Sequence, residues 1–347
     1  MKKLFKLSQG LLEQNILPDF VIRWGIRELL KQKLREERKD AIEFGHERFI
    51  RLVQKLKAGP IALSTQRANE QHYELPTEFF KLCLGKHLKY SSAYWRNGVV
   101  DLDQAEADML AITCERAALL DGQTILELGC GWGSLSLFMA EEFPKSRIVA
   151  VSNSKTQKIY IDEQARERGL KNLEIITSDL NAFEVSQKFD RVVSVEMFEH
   201  MHNYQRLLEK IAGFLKSDGK LFVHSFTHRE YAYLYDEKDD ADWIGRYFFT
   251  GGIMPSDQLL LYFQNHFTID HHWRVSGGHY QKTAERWLQN LDANREKILP
   301  LLKNTYGESE HKKWWAYWRV FFMACAELWG TRGGSEWMVS HYRFRRR

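Results

Sequence analysis

A glycine-rich heptapeptide, Glu-Leu-Gly-Cys-Gly-Trp-Gly at residues 127–133, constrains the fold of this chain more than any other feature. A short apolar run of the kind that forms a buried parallel strand leads into it. A segment of helical composition follows at 134–142. Glycine at every second position lets the backbone turn sharply and approach a ligand closely, and the helix start beyond it favours negative charge. Strand, glycine loop and helix in this order are typical of the nucleotide-binding corner of a doubly wound α/β sheet.

The spacing of these glycines indicates which ligand fits. The pattern G-x-G-x-G, with Glu127 two places before its first glycine, differs from the dinucleotide pattern G-x-G-x-x-G. It suits S-adenosylmethionine, which carries an amino-acid tail and no phosphate. The loop alone is also compatible with an ordinary tight turn between a strand and a helix, so the cofactor prediction depends on further residues.

Composition sets loose bounds on the class of protein. A chain of 347 residues can bury a large core, and a formal net charge of +4 does not imply nucleic acid as a partner. The four cysteines are widely scattered and form no C-x-x-C pair, which favours a reducing compartment over a disulfide framework or a metal site. No apolar run approaches the length of a membrane span, and the N-terminus lacks the features of a signal peptide. A cytoplasmic protein is expected.

The first sixty residues form the basic part of the chain, with 14 Lys and Arg against 8 Asp and Glu. Apolar residues recur near helical spacing between positions 20 and 34, which predicts an amphipathic basic helix. Such a helix could contact an anionic membrane surface, but a solvated helix face is the favoured interpretation. The break at Ala58-Gly59-Pro60 divides the chain into a helical N-terminal extension, 1–60, and a main domain, 61–347.

Strand-like and helix-like segments alternate from residue 124 onward, which predicts a mainly parallel sheet with right-handed crossovers. Two later apolar segments, 267–275 and 337–344, could supply the last pair of strands, with an antiparallel edge as one arrangement. Between them lies a long aromatic helical stretch, 285–329, whose tryptophans are typical of core packing and could also cover a ligand cleft. The earlier strands are predicted at 124–128, 147–152, 173–177, 191–195 and 220–225, and helices at 154–168 and 204–215.

Polar side chains follow the second and third predicted strands, where ligands of open α/β sheets bind. Ser152, Asn153 and Gln157 could hydrogen-bond a ribose or an adenine edge. Asp179 could accept from an adenine amino group while Leu180 flanks the ring. A helix cap and a surface turn explain each group separately, but all of them in register with the glycine loop favour a cofactor cleft.

A cluster of ionisable side chains follows the fourth predicted strand. Glu196, Glu199 and His200 place two carboxylates and an imidazole within five residues. Burial and mutual repulsion would shift their pKa values, as general acid–base catalysis requires. Methyl transfer from a sulfonium to an amine needs alignment and a group that takes the amine's proton. Helix capping explains one of the two glutamates, but not both together with the histidine.

The sequence resembles those of the cyclopropane-fatty-acid-synthase superfamily of S-adenosylmethionine-dependent methyltransferases, and within it those of the plant coclaurine and pavine N-methyltransferases. The resemblance extends from about residue 73 to the C-terminus. It implies a Rossmann-like class I methyltransferase fold: a seven-stranded, mostly parallel sheet with a helical N-terminal extension and a helical insertion before the last strand. Substrate-cap helices are expected mainly at 226–262 and 278–330. The matching runs are 90–91, 127–133, 153–157, 196–200, 222–224, 242–244, 246–252, 254–256 and 336–339.

The resemblance implies roles for three groups of residues. Cofactor binding is implied for Tyr90, Ser91, Gly129, Gly131, Ser152, Asn153, Gln157, Asp179, Leu180 and Val195. Proton handling is implied for Glu196 and His200, with Glu199 beside them. The substrate pocket is expected to include Tyr73, Glu74, His224, Tyr280 and Cys325. The expected cofactor is S-adenosylmethionine, with S-adenosylhomocysteine (SAH) as its product, and no metal.

Departures from the superfamily pattern bear on the acceptor. Cyclopropane synthases typically carry glycine where this chain has Glu196 and cysteine where it has Ser92. They bind bicarbonate through residues that include that cysteine and the positions of Glu199, His224 and Tyr280. A carboxylate at position 196 would repel this anion, so the chain departs from the lipid enzymes at the site of the base. Cys325 matches a cysteine once assigned an active-site role in the synthases, although its mid-helix setting is equally compatible with packing.

The leading hypothesis is therefore an N-methyltransferase for a small, hydrophobic, aromatic and benzylisoquinoline-like amine. The alternative is a cyclopropane-fatty-acyl-phospholipid synthase type of enzyme, which adds a methyl or methylene group to a lipid. A non-catalytic S-adenosylmethionine-binding protein is a third hypothesis, which the intact glycine loop and Glu-Glu-His cluster disfavour. The expected partner is a small-molecule amine and not a nucleic acid. Dimers are common among the relatives, which is compatible with a homodimer.

Overall fold

The computed structural model describes residues 10–62, 75–235 and 243–347. Its centre is a seven-stranded sheet in the order β3-β2-β1-β4-β5-β9-β8. Strands β1 to β5 run parallel, whereas β9 lies antiparallel to both β5 and β8. The strands are β1 Thr124–Leu128, β2 Arg147–Ser152, β3 Leu173–Thr177, β4 Phe189–Val195, β5 Leu215–His228, β8 Phe267–Ser276 and β9 Trp337–Arg346. A separate antiparallel pair consists of β6 Tyr233–Leu234 and β7 Ile253–Met254.

This architecture confirms the predicted fold class, a mostly parallel seven-stranded α/β sheet. The first three strands have the predicted bounds, because each is a short apolar run; β1 and β2 are almost wholly buried, and β3 is a partly buried edge strand. The last pair forms the antiparallel edge that the sequence allows, with β9 paired to β5 and β8 outermost. Strand order depends on contacts between distant segments, which periodicity along the chain does not report.

Helices cover both faces of the sheet. The apolar side chains of the helices and strands form three clusters of buried residues, one of them around the aromatic C-terminal helices. The helices are α1 Asp19–Arg38, α2 Ile42–Ala58, α3 Thr77–Cys83, α4 Leu102–Arg116, α5 Ser134–Glu142, α6 Lys155–Glu167, α7 Tyr204–Phe214, α8 Trp243–Tyr247, α9 Gly277–Ala293, α10 Arg295–Tyr306 and α11 His311–Gly330.

The long aromatic stretch predicted at 285–329 is three helices, α9 to α11, inserted before the last strand. The first break is at Asn294, which caps the end of α9 and precedes α10. The second is at Gly307, whose φ of 84° ends α10 and lies in the left-handed region that favours glycine. The tryptophans pack as expected for a core, with Trp315 and Trp318 buried in α11.

Helix α1 is amphipathic, as the sequence predicts, but its basic side chains are not all solvated. Arg23 donates to Glu285 of α9 at 2.6 Å and to Glu327 of α11 at 3.0 Å. Arg38 donates to Glu336, which is buried, at 2.6 Å. These contacts attach α1 to the helices before the last strand. Within the described ranges, no helix has the length and apolar character needed to cross a membrane.

Candidate active site

The glycine loop after β1 has the backbone conformation that its sequence predicts. Gly129 and Gly133 have φ values of 80° and 78°. A Cβ at Gly129 would lie 2.7 Å from Met197 Cγ, and one at Gly133 would lie 2.6 Å from Ile161 Cγ1. Side chains are therefore excluded at both positions by strain and by contact. Gly131, with a φ of 52°, has no atom within 4 Å of such a Cβ, so it presents open space beside the loop.

A cavity lies between this loop and the ends of β1 and β4. Six of the ten predicted cofactor residues line it, together with Glu127 and Glu196. The six are Tyr90, Ser91, Gly129, Gly131, Gln157 and Val195. Segments distant in sequence meet here because the carboxyl ends of parallel strands share one edge of the sheet.

Four polar atoms on the wall of this cavity are buried and have no hydrogen-bond partner within the described part of the chain. They are Thr113 Oγ1, Trp132 Nε1, Ser134 Oγ and Gln157 Nε2. A buried polar group without a partner costs about 1–3 kcal/mol, so such groups are usually satisfied by protein, water or ligand. Their clustering fits a polar ligand such as S-adenosylmethionine.

Besides Glu196, the cavity wall carries Lys89 and Glu127, whose charges can match those of an amino-acid tail. Lys89 is buried and donates to Ser91 Oγ at 2.5 Å and to the Ser92 carbonyl at 2.8 Å. Burial lowers the pKa of Lys89 to about 8, against the attraction of Glu196, Glu106 and Glu127. Burial raises the pKa of Glu127 to about 7. Sequence analysis missed Lys89, because a single lysine in a loop carries no pattern that predicts burial.

The other four predicted cofactor residues follow β2 and β3 and do not line this cavity. Ser152 is buried and donates to Gln157 Oε1 at 2.6 Å. It therefore holds in place the Gln157 side chain, which does line the cavity. Asn153 is exposed. Asp179 Oδ1 accepts from the Asn181 amide at 2.7 Å, as in the surface turn named above as the alternative to adenine binding. The adjacent Leu180 is half-buried. Contacts of these four with a cofactor stay predictions.

Glu196 occupies an unusual backbone position directly after β4. Its φ is 46°, in the left-handed region that non-glycine residues rarely adopt. Its carboxylate Oε1 accepts from the Ser92 amide at 2.9 Å, and Oε2 accepts from the Tyr280 hydroxyl at 2.7 Å. The ring of His224 lies with Nε2 at 3.1 Å from Oε1. Burial raises the pKa of Glu196, opposed by the charge of Lys89 and by the hydrogen bonds from Ser92 and Tyr280.

The other two members of the predicted catalytic cluster lie in the short 3₁₀ turn after Glu196. Glu199 is fully buried, and its Oε1 accepts from the Phe226 amide at 2.6 Å. Burial and the charge of Glu196 raise the pKa of Glu199 to about 8, so it is mostly protonated near neutral pH. Burial lowers the pKa of His200 to about 4, which makes its ring neutral there. The site thus holds the Glu196 carboxyl group, which accepts hydrogen bonds from Ser92 and Tyr280, beside one neutral carboxylic acid and one neutral imidazole.

The predicted substrate residues that the structure describes converge on Glu196. His224 and Tyr280 hydrogen-bond with its carboxylate. Cys325 lies in α11, and burial, followed by the charge of Glu196, raises the pKa of its thiol to about 12. The remaining two, Tyr73 and Glu74, lie outside the described residues.

Aromatic rings extend from this carboxylate toward the half-buried ring of His200. Tyr280 stacks on Trp329 with ring centroids 4.7 Å apart, and Trp329 packs against Phe226 at 5.6 Å. Phe226 contacts Phe249, which in turn contacts His200 at 4.8 Å. We call these four aromatic residues (Tyr280, Trp329, Phe226 and Phe249) the aromatic wall. Aromatic faces attract organic cations and bury apolar rings, so the wall suits a hydrophobic amine.

Together these groups can bind a zwitterionic cofactor beside a carboxylate and an aromatic wall. Among residues 10–62, 75–235 and 243–347, no three His, Cys, Asp or Glu side chains are arranged to hold a metal ion. The arrangement supports proton transfer and positioning by the side chains themselves.

Comparisons with known proteins identify relatives along most of the chain. The family model described as mycolic acid cyclopropane synthetase matches residues 62–332. The (S)-coclaurine N-methyltransferase of Thalictrum flavum subsp. glaucum is 39% identical over 97% of this chain and 94% of its own length. The pavine N-methyltransferase of the same plant is 35% identical over 94% of this chain and 89% of its own. The cyclopropane-fatty-acyl-phospholipid synthase of Escherichia coli K12 is more distant, at 28% over 90% and 76%.

A solved structure extends this similarity to three dimensions. The crystal structure of a coclaurine N-methyltransferase bound to N-methylheliamine and SAH aligns with a TM-score of 0.95 and 38% identity. The alignment covers 98% of this chain and 99% of that one. The mycolic acid cyclopropane synthase CmaA1, complexed with SAH and CTAB, shares the fold at a TM-score of 0.67 and 22% identity.

Proposed function

The chain belongs to the mycolic acid cyclopropane synthetase family, and within that family we propose that it is an S-adenosylmethionine-dependent N-methyltransferase in which Glu196 accepts the proton of a small hydrophobic amine. The N-methyltransferase activity follows from the relatives that match nearly the whole chain at 35–39% identity. The role of Glu196 is our proposal. It is supported by one observation: the carboxylate that lines the cofactor cavity is held by three donors from three separate segments.

The proton explains why such a carboxylate is needed. An aliphatic amine is mostly protonated near neutral pH and has no free lone pair, so it must lose a proton before it can attack a methyl group. S-adenosylmethionine supplies that methyl on a sulfonium: a carbon–nitrogen bond forms, the carbon–sulfur bond breaks, and its electron pair stays on sulfur in SAH. The proton of the substrate ammonium goes to Glu196. The raised pKa of Glu196 narrows its gap to the pKa of an amine, which favours this transfer.

Glu199 and His200 support this base in different ways. Glu199 is fully buried and faces the backbone of β5, so it acts on Glu196 through its protonation state, since a second ionised carboxylate would repel the first. His200 is neutral and contacts Phe249 at the other end of the aromatic wall. A neutral imidazole can orient the amine by accepting a hydrogen bond from it.

The aromatic wall supports an aromatic, benzylisoquinoline-like amine as the substrate. Stacked rings beside a buried carboxylate attract a cationic amine before it loses its proton and bury its aromatic rings. A lipid acyl chain needs no carboxylate, and the lipid-modifying relative in the comparison is the more distant one. Amine methylation is therefore favoured over lipid modification.

The expected domain division is also part of this proposal. Residues 1–60 form the helical extension and 61–347 the methyltransferase domain, with the cap mainly at 226–262 and 278–330. The second of these segments is helical, as expected, whereas the described part of the first is mainly β6, β7 and the short helix α8. The family match from residue 62 and the end of α2 at Ala58 support this boundary. We propose a cytoplasmic location, supported by four cysteines that are all free thiols. Membrane contact is not favoured, because the basic residues Arg23 and Arg38 of α1 are paired with acidic residues of the same chain.

The proposal is tested by incubating the protein and S-adenosylmethionine with benzylisoquinolines, phenethylamines and, separately, unsaturated phospholipid. We expect a methylated benzylisoquinoline, and a decrease in its rate of about 10²-fold or more in Glu196→Gln, which keeps the shape of the side chain and removes the base. Binding of SAH should be nearly unchanged. Turnover of phospholipid without any methylated amine would refute the acceptor, and a Glu196→Gln enzyme with the parental rate would refute the role of Glu196.

A further inference from the structure

Four side chains form a continuous hydrogen-bonded chain from the end of α4 to the proposed base. Arg116 Nη1 lies 2.9 Å from His341 Nδ1, and His341 Nε2 lies 3.0 Å from His224 Nδ1. His224 Nε2 then lies 3.1 Å from Glu196 Oε1. The two histidines are direct cross-strand partners on β5 and β9, and both are fully buried. We call this the Arg–His–His–Glu chain.

The chemistry of its two ends fixes the direction of every hydrogen bond. A guanidinium can only donate, so His341 Nδ1 must accept. A neutral imidazole whose Nδ1 accepts carries its hydrogen on Nε2, so His341 donates to His224 Nδ1. The same argument places the hydrogen of His224 on Nε2, which donates to the Glu196 carboxylate. Burial holds the pKa of both rings well below the usual range, in agreement with two neutral imidazoles.

We propose that Arg116 and His341 are positioning residues for the transfer reaction, which act through His224 to hold Glu196 oriented and ionised. Each link polarises the next toward the carboxylate, and such chains strengthen their members cooperatively. This inference rests on the proposed function only in assigning a catalytic value to the ionised Glu196. The hydrogen positions are independent of it.

The direction of these hydrogen bonds also shows that the Arg–His–His–Glu chain does not conduct a proton from Glu196 to Arg116. To carry a proton from Glu196 outward, the last imidazole would have to pass it to Arg116, which is already fully protonated. The Arg–His–His–Glu chain therefore stabilises charge without conducting a proton to that side of the sheet.

Other ionisable groups also act on the members of this chain and must be held constant in a test. The groups facing Glu196 from the other elements packed against it are Lys89, Glu199, His200, Tyr280 and Cys325. His341 is influenced in addition by His272 of β8 and by Lys89. Arg116 itself lies against the ring of Trp273, 5.3 Å from its centroid, and its carbonyl accepts from Arg343. None of these groups needs to be changed to break the chain at Arg116.

The first test is the pH dependence of the methyl-transfer rate in Arg116→Met. Without the obligate donor, His341 can adopt either tautomer and His224 need not donate, so the pKa of Glu196 rises. We expect the acid limb of the rate profile to move up by about one pH unit, with a rate about tenfold lower below it. Arg116→Lys keeps a charged donor, so its acid limb should stay close to that of the parent enzyme. The matched control is Arg191→Met, which removes another half-buried arginine that donates to the backbone just after α4; its acid limb should stay in place.

The second test reads the hydrogens directly and needs no turnover. In protein with ¹⁵N-labelled histidine, long-range ¹H–¹⁵N spectra should show the Nε2–H tautomer for both His224 and His341, assigned with His224→Gln and His341→Gln. An Nδ1–H tautomer or an imidazolium at either ring would overturn the proposal, as would an Arg116→Met profile identical to that of the parent enzyme. If the tautomers are as expected but Glu196→Gln keeps the parental rate, it is the proposed function that fails.

Discussion

The hydroxyl of Tyr280 donates to Glu196 Oε2 at 2.7 Å while the same tyrosine ring stacks on Trp329 at an interplanar angle of 3°. One side chain therefore both belongs to the aromatic wall and hydrogen-bonds with the proposed base. The stack fixes the ring, and the fixed ring fixes the donor, so the direction of the Glu196 carboxylate depends on an aromatic contact.

Tyr280→Phe should keep the stack and remove the donor. Loss of one hydrogen bond to a carboxylate costs about 1.5–3 kcal/mol of stabilisation of its charged form. The pKa of Glu196 should therefore rise, and the acid limb of the rate profile should move to higher pH. Steady-state rates between pH 6 and 9 measure this. Because the aromatic wall is intact, the KM for the amine should change little; a large increase in KM with an unshifted limb would assign Tyr280 to substrate binding instead.

Lys89→Met should weaken cofactor binding more than it affects the fold. The buried ammonium lies on the wall of the cofactor cavity, where it can pair with the carboxylate of the amino-acid tail. We expect SAH to bind about tenfold more weakly, or ~1.4 kcal/mol, in titration calorimetry. Lys86→Met is the matched control, because its side chain is exposed three residues earlier. Equal affinities in the two variants would contradict this role.

Gly129→Ala and Gly131→Ala should distinguish an effect on stability from an effect on cofactor binding within one loop. Both positions have positive φ, which costs a non-glycine residue about 1–2 kcal/mol. At Gly129 the new methyl group would also collide with Met197, so urea unfolding should show the larger loss of stability there. At Gly131 the methyl group enters open space beside the cavity, so a smaller loss of stability should accompany a clear loss of SAH affinity. The reverse order of stabilities would show that the loop adapts.

The buried carboxylate of Asp257 should make the free energy of unfolding fall in acid. Burial raises its pKa, but hydrogen bonds from His272, Ser340 and Arg274 outweigh this effect and lower it to about 2. A carboxyl whose pKa is lower in the folded state stabilises the fold above its unfolded pKa and loses that contribution as the pH falls toward 2. About 2 kcal/mol of unfolding free energy should therefore disappear between pH 4 and pH 2. Asp257→Asn, measured by urea unfolding at both pH values, should show a smaller decrease than the parent protein over this interval.

Much of the fold could be predicted from the sequence, because local patterns determine it. The apolar runs of β1 to β3 and the glycines of the loop after β1 are local signals, and their positions are confirmed. The predicted catalytic cluster is local too, since Glu196, Glu199 and His200 lie within five residues. These contiguous patterns were sufficient to predict the fold class and the expected cofactor.

The partners of these residues could not be predicted in the same way. His224 and His341 are 117 positions apart and meet only because β9 inserts beside β5. The expected role of Lys89 depends on its burial among carboxylates of other segments. The pairing of strands and the burial of a charge are properties of the packed molecule, and neither leaves a periodic trace along the chain.

The left-handed backbone at Glu196 has a consequence for engineering this protein. Glycine would adopt a φ of 46° without the penalty of about 1–2 kcal/mol that a side chain incurs, but it would leave the donors of Ser92, His224 and Tyr280 without their acceptor. The strained backbone at this position is therefore held together with the carboxylate that these donors bind. Substitutions chosen to relax the backbone should spare position 196, because they would remove the proposed base.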